Sequence, residues 1–162
     1  MINQYILKHG KRLYGLCITL CADSFDADDL YQETWLKVLK KYEQYDPSKP
    51  FEAWLTRICV NTYRDFLRRK KKNPVFENFA SNEEKTAALE NVHEIEKKDF
   101  SDLHNAINSL PEKLRITVIL YYFHDLNQAQ TAIALGVPQG TVKSRLSKAK
   151  KLLREELESN EK

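Results

Sequence analysis

The chain has 162 residues, with 26 Lys and Arg against 23 Asp and Glu, three Cys, four Gly and five Pro. At 42% hydrophobic and 30% charged it can form one ordinary domain or two small ones, without a large core. These counts argue against a membrane span, a disulfide framework or zinc finger, since no Cys-x-x-Cys occurs, and a glycine-rich nucleotide loop. The opening Met1-Ile2-Asn3-Gln4-Tyr5 lacks the charged-then-apolar pattern of a signal peptide, so a cytoplasmic protein without a cofactor is expected.

In chain order, Tyr5, Leu13, Leu16 and Leu20 line one face of a first helix. Asp26, with Asp29 three residues on, resembles a capping box in which Asp stands for Glu. The helix it starts is expected to bury Leu30, Thr34, Val38 and either Trp35 or Leu39. Residues 23–34 carry the acids Asp23, Asp26, Asp28, Asp29 and Glu33 and no base. Pro47 and Pro50 then bracket a short polar loop and mark a helix boundary. A third helix buries Leu55, Ile58, Thr62 and Phe66 and turns Arg57, Asn61, Arg64 and Arg68 the other way. Residues 57–72 hold seven bases and one acid, a net +6.

Residues 73–99 lose the helical period, and 73–96 hold six acids and one base, a net −5; they read as an acidic, flexible linker. The period resumes near Phe100 with Leu103, Ile107 and Leu110, then Leu114, Val118 and Tyr121. Pro111 separates the two runs. No run alternates as a strand would, so the fold expected is all-α: two small helical domains, 1–72 and 100–162, joined by the linker 73–99.

The last segment is the most specific. Ala129, Ala132 and Ile133 mark a short helix, Gly136-Val137-Pro138 a turn, and Val142, Leu146, Ala149 and Leu153 the buried stripe of a second helix. Residues 139–154 carry six bases (Lys143, Arg145, Lys148, Lys150, Lys151, Arg154) and no acid. Two helices joined by a glycine turn, the second basic and amphipathic, read as a helix-turn-helix. A helix fits the major groove, and lysines neutralise phosphates. A helical hairpin closing a bundle is the plainer account, but six bases without an acid make poor packing surface. With 57–72, the chain has two basic blocks for one polyanion.

Leu110-Pro-Glu-Lys-Leu-Arg115 followed by Gly140-Thr-Val-Lys-Ser-Arg-Leu146 closely resembles the fourth conserved region of sigma-70-family transcription initiation factors. Asp28-Asp-Leu-Tyr-Gln-Glu-Thr34, Ala53-Trp-Leu-Thr-Arg-Ile58, Asn61, Asp65 and Arg68-Arg69 are similar to the second region. Their order and spacing resemble the short extracytoplasmic-function (ECF) group. The resemblance implies that 1–72 is region 2, which binds core RNA polymerase and the −10 element, and that 100–162 is region 4, which reads the −35 element. It implies polymerase contacts to the β′ clamp coiled coil through Asp29, Gln32, Glu33 and Leu36, with a further contact to the β flap. It implies −10 contacts from Lys49, Arg57, Asn61, Arg64, Arg68 and Arg69. The loop Asp46-Pro-Ser-Lys-Pro50 resembles the one that captures a flipped base, which traps separated strands at a few kcal/mol of unstacking. For the −35 element it implies Thr141, Lys143, Ser144, Arg145, Ser147 and Lys148. One departure stands out: Gln130-Thr131-Ala132 replaces the usual Glu-Ile-Ala, putting a hydroxyl where an apolar core group belongs.

The residues agree with these roles. An acidic capped helix is a poor DNA ligand and suits a basic protein surface, although solvated surface charge is the plainer account of it alone. The Asn61 amide can both donate to and accept from a base. Trp54, beside Leu55 and Ile58, reads as core packing rather than base stacking, and Cys17, Cys21 and Cys59 read as buried thiols. The four His lack metal-ligand spacing, and nothing localises a catalytic constellation, so neither an enzyme nor a small-molecule substrate is expected. A stand-alone repressor or activator would leave the Asp28–Glu33 helix without a role. With two modules and a linker accounting for the sequence, no sensor domain is expected. Control then falls to synthesis or to a separate anti-sigma factor, often membrane-anchored in this group. The relaxed linker spans about 29 Å against promoter elements more than ~50 Å apart, so extension on polymerase is expected.

Overall fold

The computed structural model describes residues 2–72 and 100–160; expectations for 73–99, including the linker's bounds, lie outside the described residues. The chain divides into two compact units, Met1–Glu90 and Asn91–Lys162. Among the described residues every regular element is helical, as the absence of alternating runs predicts.

The first unit contains α1 (Ile2–Cys21), α2 (Ser24–Lys41), a 3₁₀ turn (Tyr42–Gln44) and α3 (Phe51–Lys72). The helices pack pairwise. Their core is Leu13, Leu16, Cys17 and Leu20 from α1, Ala27, Leu30, Trp35 and Val38 from α2, and Leu55, Ile58, Cys59, Val60 and Tyr63 from α3. Each fully buried aliphatic side chain contributes about 1.5–3 kcal/mol relative to exposure. Two threonines belong to this core because their hydroxyls bond back to the preceding turn: Thr34 Oγ1 to the Leu30 carbonyl at 2.6 Å and Thr62 Oγ1 to the Ile58 carbonyl at 2.7 Å. At Gly10 helix α1 comes close to α2: a Cβ there would lie 2.9 Å from the Tyr31 hydroxyl oxygen, so that side chain would have to shift.

Three expectations for this unit are corrected and one open alternative is resolved. The α2 cap is Asp23, whose carboxylate accepts from the Phe25 amide at 2.9 Å, rather than Asp26. The helix starts earlier because α1 ends abruptly at Ala22, held at φ 56° with its amide on the Ile18 carbonyl. Of Trp35 and Leu39, Trp35 is buried and Leu39 is 51% exposed. Tyr5 and Phe66 are half-buried; Tyr5 stacks on Phe51 at 4.1 Å, and Phe66 carries the Lys70 ammonium 4.9 Å above its ring. Trp54 is half-buried too, in an aromatic cluster at the start of α3 rather than in the core.

The second unit contains α4 (Phe100–Asn108), α5 (Glu112–Val118) running into a wider π turn (Ile119–Phe123), α6 (Gln128–Leu135) and α7 (Gln139–Asn160). Pro111 precedes α5 with extended backbone, as a helix boundary should. Helices α4, α5 and α6 all pack on α7. Ile107, Leu110, Leu114, Ile116, Ile119, Leu120, Val142, Leu146 and Ala149 are buried in its core. Leu103, Tyr121 and Leu153 are only half-buried.

The buried face of α6 agrees with the expected pattern at Ala132 and differs from it at Ala129 and Ile133. Thr131, Ala132, Ala134 and Leu135 point inward, while Ala129 and Ile133 are exposed. In eight residues that are mostly small or apolar, two overlapping stripes exist, and hydropathy alone does not choose between them. The turn after α6 follows the expected chemistry. Gly136 sits at φ 68°, with its amide on the Ile133 carbonyl (3.2 Å) and the Val137 amide on the Ala132 carbonyl (3.0 Å), a Schellman closure that glycine adopts without strain.

Candidate nucleic-acid and polymerase interfaces

Helix α7 is positioned by Val142, Leu146 and Ala149, which are buried against its neighbours. That anchoring turns Lys143, Ser144, Ser147 and Lys148 to solvent on the N-terminal half of the helix. Thr141 is half-buried, and its carbonyl accepts from the Ser144 hydroxyl at 3.0 Å. Arg145 stands apart: it is half-buried, and its Nη1 is shielded from water without a hydrogen-bond partner. The open face is therefore Lys143, Ser144, Ser147 and Lys148.

On α3, Arg57 and Asn61 are exposed, Arg64 is half-buried, and Lys49 is exposed in the preceding loop. Arg68, Arg69 and Lys70 of the basic block are already engaged. Arg69 Nη2 donates to both Glu33 oxygens at 3.0 and 3.3 Å, Lys70 Nζ reaches Asp26 at 2.6 Å, and Arg68 and Lys37 both meet Asp65, at 3.3 and 3.5 Å. Glu33 and Arg69, expected to serve different macromolecules, are partners of one another across the α2–α3 seam.

Helix α2 presents Asp29, Gln32 and Leu36 to solvent. Phe25, 65% exposed, and Leu39, 51% exposed, extend them at helical spacing on either side of Leu36, itself 58% exposed. The stripe Phe25–Asp29–Gln32–Leu36–Leu39 mixes bare apolar surface with one acid. Sequence reasoning missed Phe25, although a large apolar residue four before Asp29 was the available signal. It also missed Tyr122 and Phe123, exposed beside α5. Asp28 lies off the stripe, where its carboxylate accepts the Tyr14 hydroxyl at 2.7 Å.

The loop before α3 is ordered by its own side chains. The Tyr45 hydroxyl donates to the Lys49 carbonyl at 2.6 Å, and Asp46 Oδ1 accepts from the Ser48 amide (3.0 Å) and hydroxyl (2.7 Å). The Ser48 bonds hold the Asp46 carboxyl below the usual carboxylate range, while partial burial raises the Tyr45 phenol above its own.

Two of the three thiols expected to be buried are core groups, whereas Cys21 is half-buried. Cys17 and Cys59 are fully buried with sulfurs 3.9 Å apart. The Cys59 contact, with burial, pushes the Cys17 thiol up, and burial pushes Cys21 up to about 12. Cys17 and Cys21 are therefore thiols rather than thiolates near neutral pH. Among the described residues no group of three His, Cys, Asp or Glu could hold a metal, and no helix is long and apolar enough to cross a membrane.

Both units correspond to known modules. The family model for Sigma-70 region 2 matches residues 5–73, and that for Sigma-70, region 4 matches residues 100–153. The RNA polymerase sigma factor SigV of Bacillus subtilis is 34% identical over 152 residues, covering 94% of this chain and 88% of that protein. The ECF RNA polymerase sigma factor SigE of Mycolicibacterium smegmatis is 30% identical over 158 residues, covering 96% of this chain; the chain spans 61% of that relative's length. The chain belongs to the sigma-70 family, in its ECF group. Its fold is shared with the sigma factor RpoE of Bartonella quintana, solved with the anti-sigma factor NepR (TM-score 0.73, 23% identity, 97% of this chain and 96% of that one). It is shared as well with CnrH, solved with the cytosolic domain of CnrY (TM-score 0.71, 24% identity, 97% and 87%).

Proposed function

We propose that this protein is a dissociable, non-enzymatic subunit that directs bacterial core RNA polymerase to promoters and opens them. The observation that carries this reading is the coexistence of two unlike surfaces. The α7 face suits duplex DNA, whereas the α2 stripe, apolar and acidic, suits a basic protein and repels DNA. Residues 1–72 dock on the β′ clamp coiled coil through Asp29, Gln32 and Leu36, with Phe25 and Leu39 completing the contact. They engage the −10 element through Lys49, Arg57, Asn61, Arg64 and Arg68, and the Asp46–Pro50 loop takes an extruded base. Residues 100–162 read the −35 element through Lys143, Ser144, Ser147 and Lys148, supported by Thr141, and meet the β flap. Residues 73–99 connect the two.

The protein works in the cytoplasm and uses no cofactor. That the sigma factor RpoE was solved with the anti-sigma factor NepR supports a masking partner here, free or anchored in the membrane. The deciding experiment is promoter binding with and without core polymerase. Specific, open complexes that form only with core are expected. Specific binding by the free protein, unchanged by core, would make it a stand-alone regulator instead.

A further inference from the structure

The loop from Asp46 to Pro50 is closed across its base by two bonds, one of them from a side chain. The Tyr45 hydroxyl donates to the Lys49 carbonyl at 2.6 Å, joining the two ends of the loop, and the Lys49 amide returns to the Asp46 carbonyl at 3.0 Å. Within the loop, Asp46 Oδ1 collects the Ser48 amide and hydroxyl. Pro47 and Pro50 fix two further φ angles. The Tyr45 ring is itself held between Trp54 at 5.0 Å and Phe51 at 5.4 Å, and Phe51 stacks under Tyr5 of α1 at 4.1 Å with His9 at 5.2 Å. One hydroxyl thus ties the shape of an exposed loop to the three-helix core. The loop itself is exposed throughout, and neither Ser48 nor Lys49 packs its side chain into the fold.

A loop that captures a base must otherwise lose conformational freedom at the moment of capture, which opposes binding. We propose that Tyr45 and Asp46 are positioning residues that hold the Asp46–Pro50 loop in its base-receiving shape before DNA arrives. Tyr45 sets the separation of the loop's ends through the Lys49 carbonyl, and Asp46 sets its inner turn through Ser48. Neither touches the base. The ligand class is a single unstacked nucleobase in the separated −10 strand. This inference rests on the base-capture reading of the loop given above.

The test uses holoenzyme and a forked promoter duplex whose start site has been mapped by reconstituted transcription on genomic DNA. Each unpaired −10 position is made abasic in turn. Tyr45→Phe keeps the ring in its cluster and deletes only the cross-loop bond; Asp46→Ala deletes the Ser48 bonds. On the intact fork, each variant is expected to bind about three- to tenfold more weakly, the range of one hydrogen bond. On the fork lacking the captured base, wild type and variants are expected to bind equally, and affinity for core should not change. A variant that loses the same factor on intact and abasic forks would be merely destabilised, which overturns the proposal. Wild type sensitive to one abasic position, with both variants matching it on the intact fork, would overturn the positioning role while leaving base capture standing. Wild type indifferent to every abasic position would remove base capture itself.

Discussion

At the scale of single residues, the departure Gln130-Thr131 divides into a neutral half and a costly half. Gln130 keeps the cap of α6: its side-chain oxygen accepts from the Asn127 amide at 3.0 Å, while its own amide donates to Asn127 Oδ1 at 2.8 Å. Glutamine serves this reciprocal box as glutamate does. Thr131 is fully buried, and its Oγ1 has no hydrogen-bond partner. An unpaired buried hydroxyl costs about 1–3 kcal/mol. Valine has the same branching and nearly the same helix propensity, so Thr131→Val should stabilise the second unit by about 1 kcal/mol, raising its Tm by roughly 4–8 °C. Thr131→Ser keeps the hydroxyl and loses a methyl, and should destabilise. Both Trp residues lie in the first unit, at 35 and 54. Far-UV circular dichroism should therefore register the shift while tryptophan fluorescence does not. An unchanged or lowered melting transition for Thr131→Val would mean that the hydroxyl is satisfied in solution.

At the scale of elements, the α2–α3 seam is laced by pairs of unequal shelter. The Asp26 and Lys70 side chains are 17% and 22% exposed, against 34% and 61% for Glu33 and Arg69. Exposed pairs contribute about 0.2–1 kcal/mol, reduced by salt. Double-mutant cycles in urea, with Asp26→Asn and Lys70→Met against Glu33→Gln and Arg69→Met, should give about 1 kcal/mol for the first pair and a few tenths for the second. Raising salt should erase the second first; equal couplings would show that shelter does not govern this seam. These pairs also mark where the sequence stops being legible. Periodicity identifies Leu13, Leu16, Leu20, Leu30, Val38, Leu55 and Ile58 as core, because burial of a stripe is a local property of a helix. The glycine turn at Gly136 and the face of α7 are legible for the same reason. That Glu33 meets Arg69, 36 residues away, depends on the register of two packed helices, which no local pattern encodes. The α2 cap is misplaced because its position follows from where α1 stops, at an alanine in a left-handed conformation that the sequence does not advertise. Trp54 is misread because neighbouring Leu55 and Ile58 suggest core, whereas Tyr45 and Phe51 draw its ring to the base of the loop.

At the scale of the whole molecule, the α2 stripe proposed for docking is open to two partners. Phe25, Leu36 and Leu39 leave apolar surface in water on a helix whose other face is fully committed to the core, and such surface belongs under a protein. Among the described residues nothing covers it. Core polymerase is the expected occupant when the protein is active, and a masking protein the expected occupant when it is not. If both use the same stripe, they exclude each other without any conformational change in this chain. Leu36→Asp tests the sharing. Leu36 is exposed enough that the substitution should alter stability by no more than about 0.5 kcal/mol. Burying a leucine at an interface contributes about 1.5–3 kcal/mol, so losing it should weaken core binding roughly ten- to hundredfold. The same factor should appear for the masking partner, measured by capture of tagged wild-type and Leu36→Asp protein from unstressed cells with membranes solubilised. Binding of −35 duplex, a property of α7 in the other unit, should not move. A variant that loses core polymerase yet retains its masking partner in full would place that partner on another surface, and would replace direct competition by a mechanism that acts on both units at once.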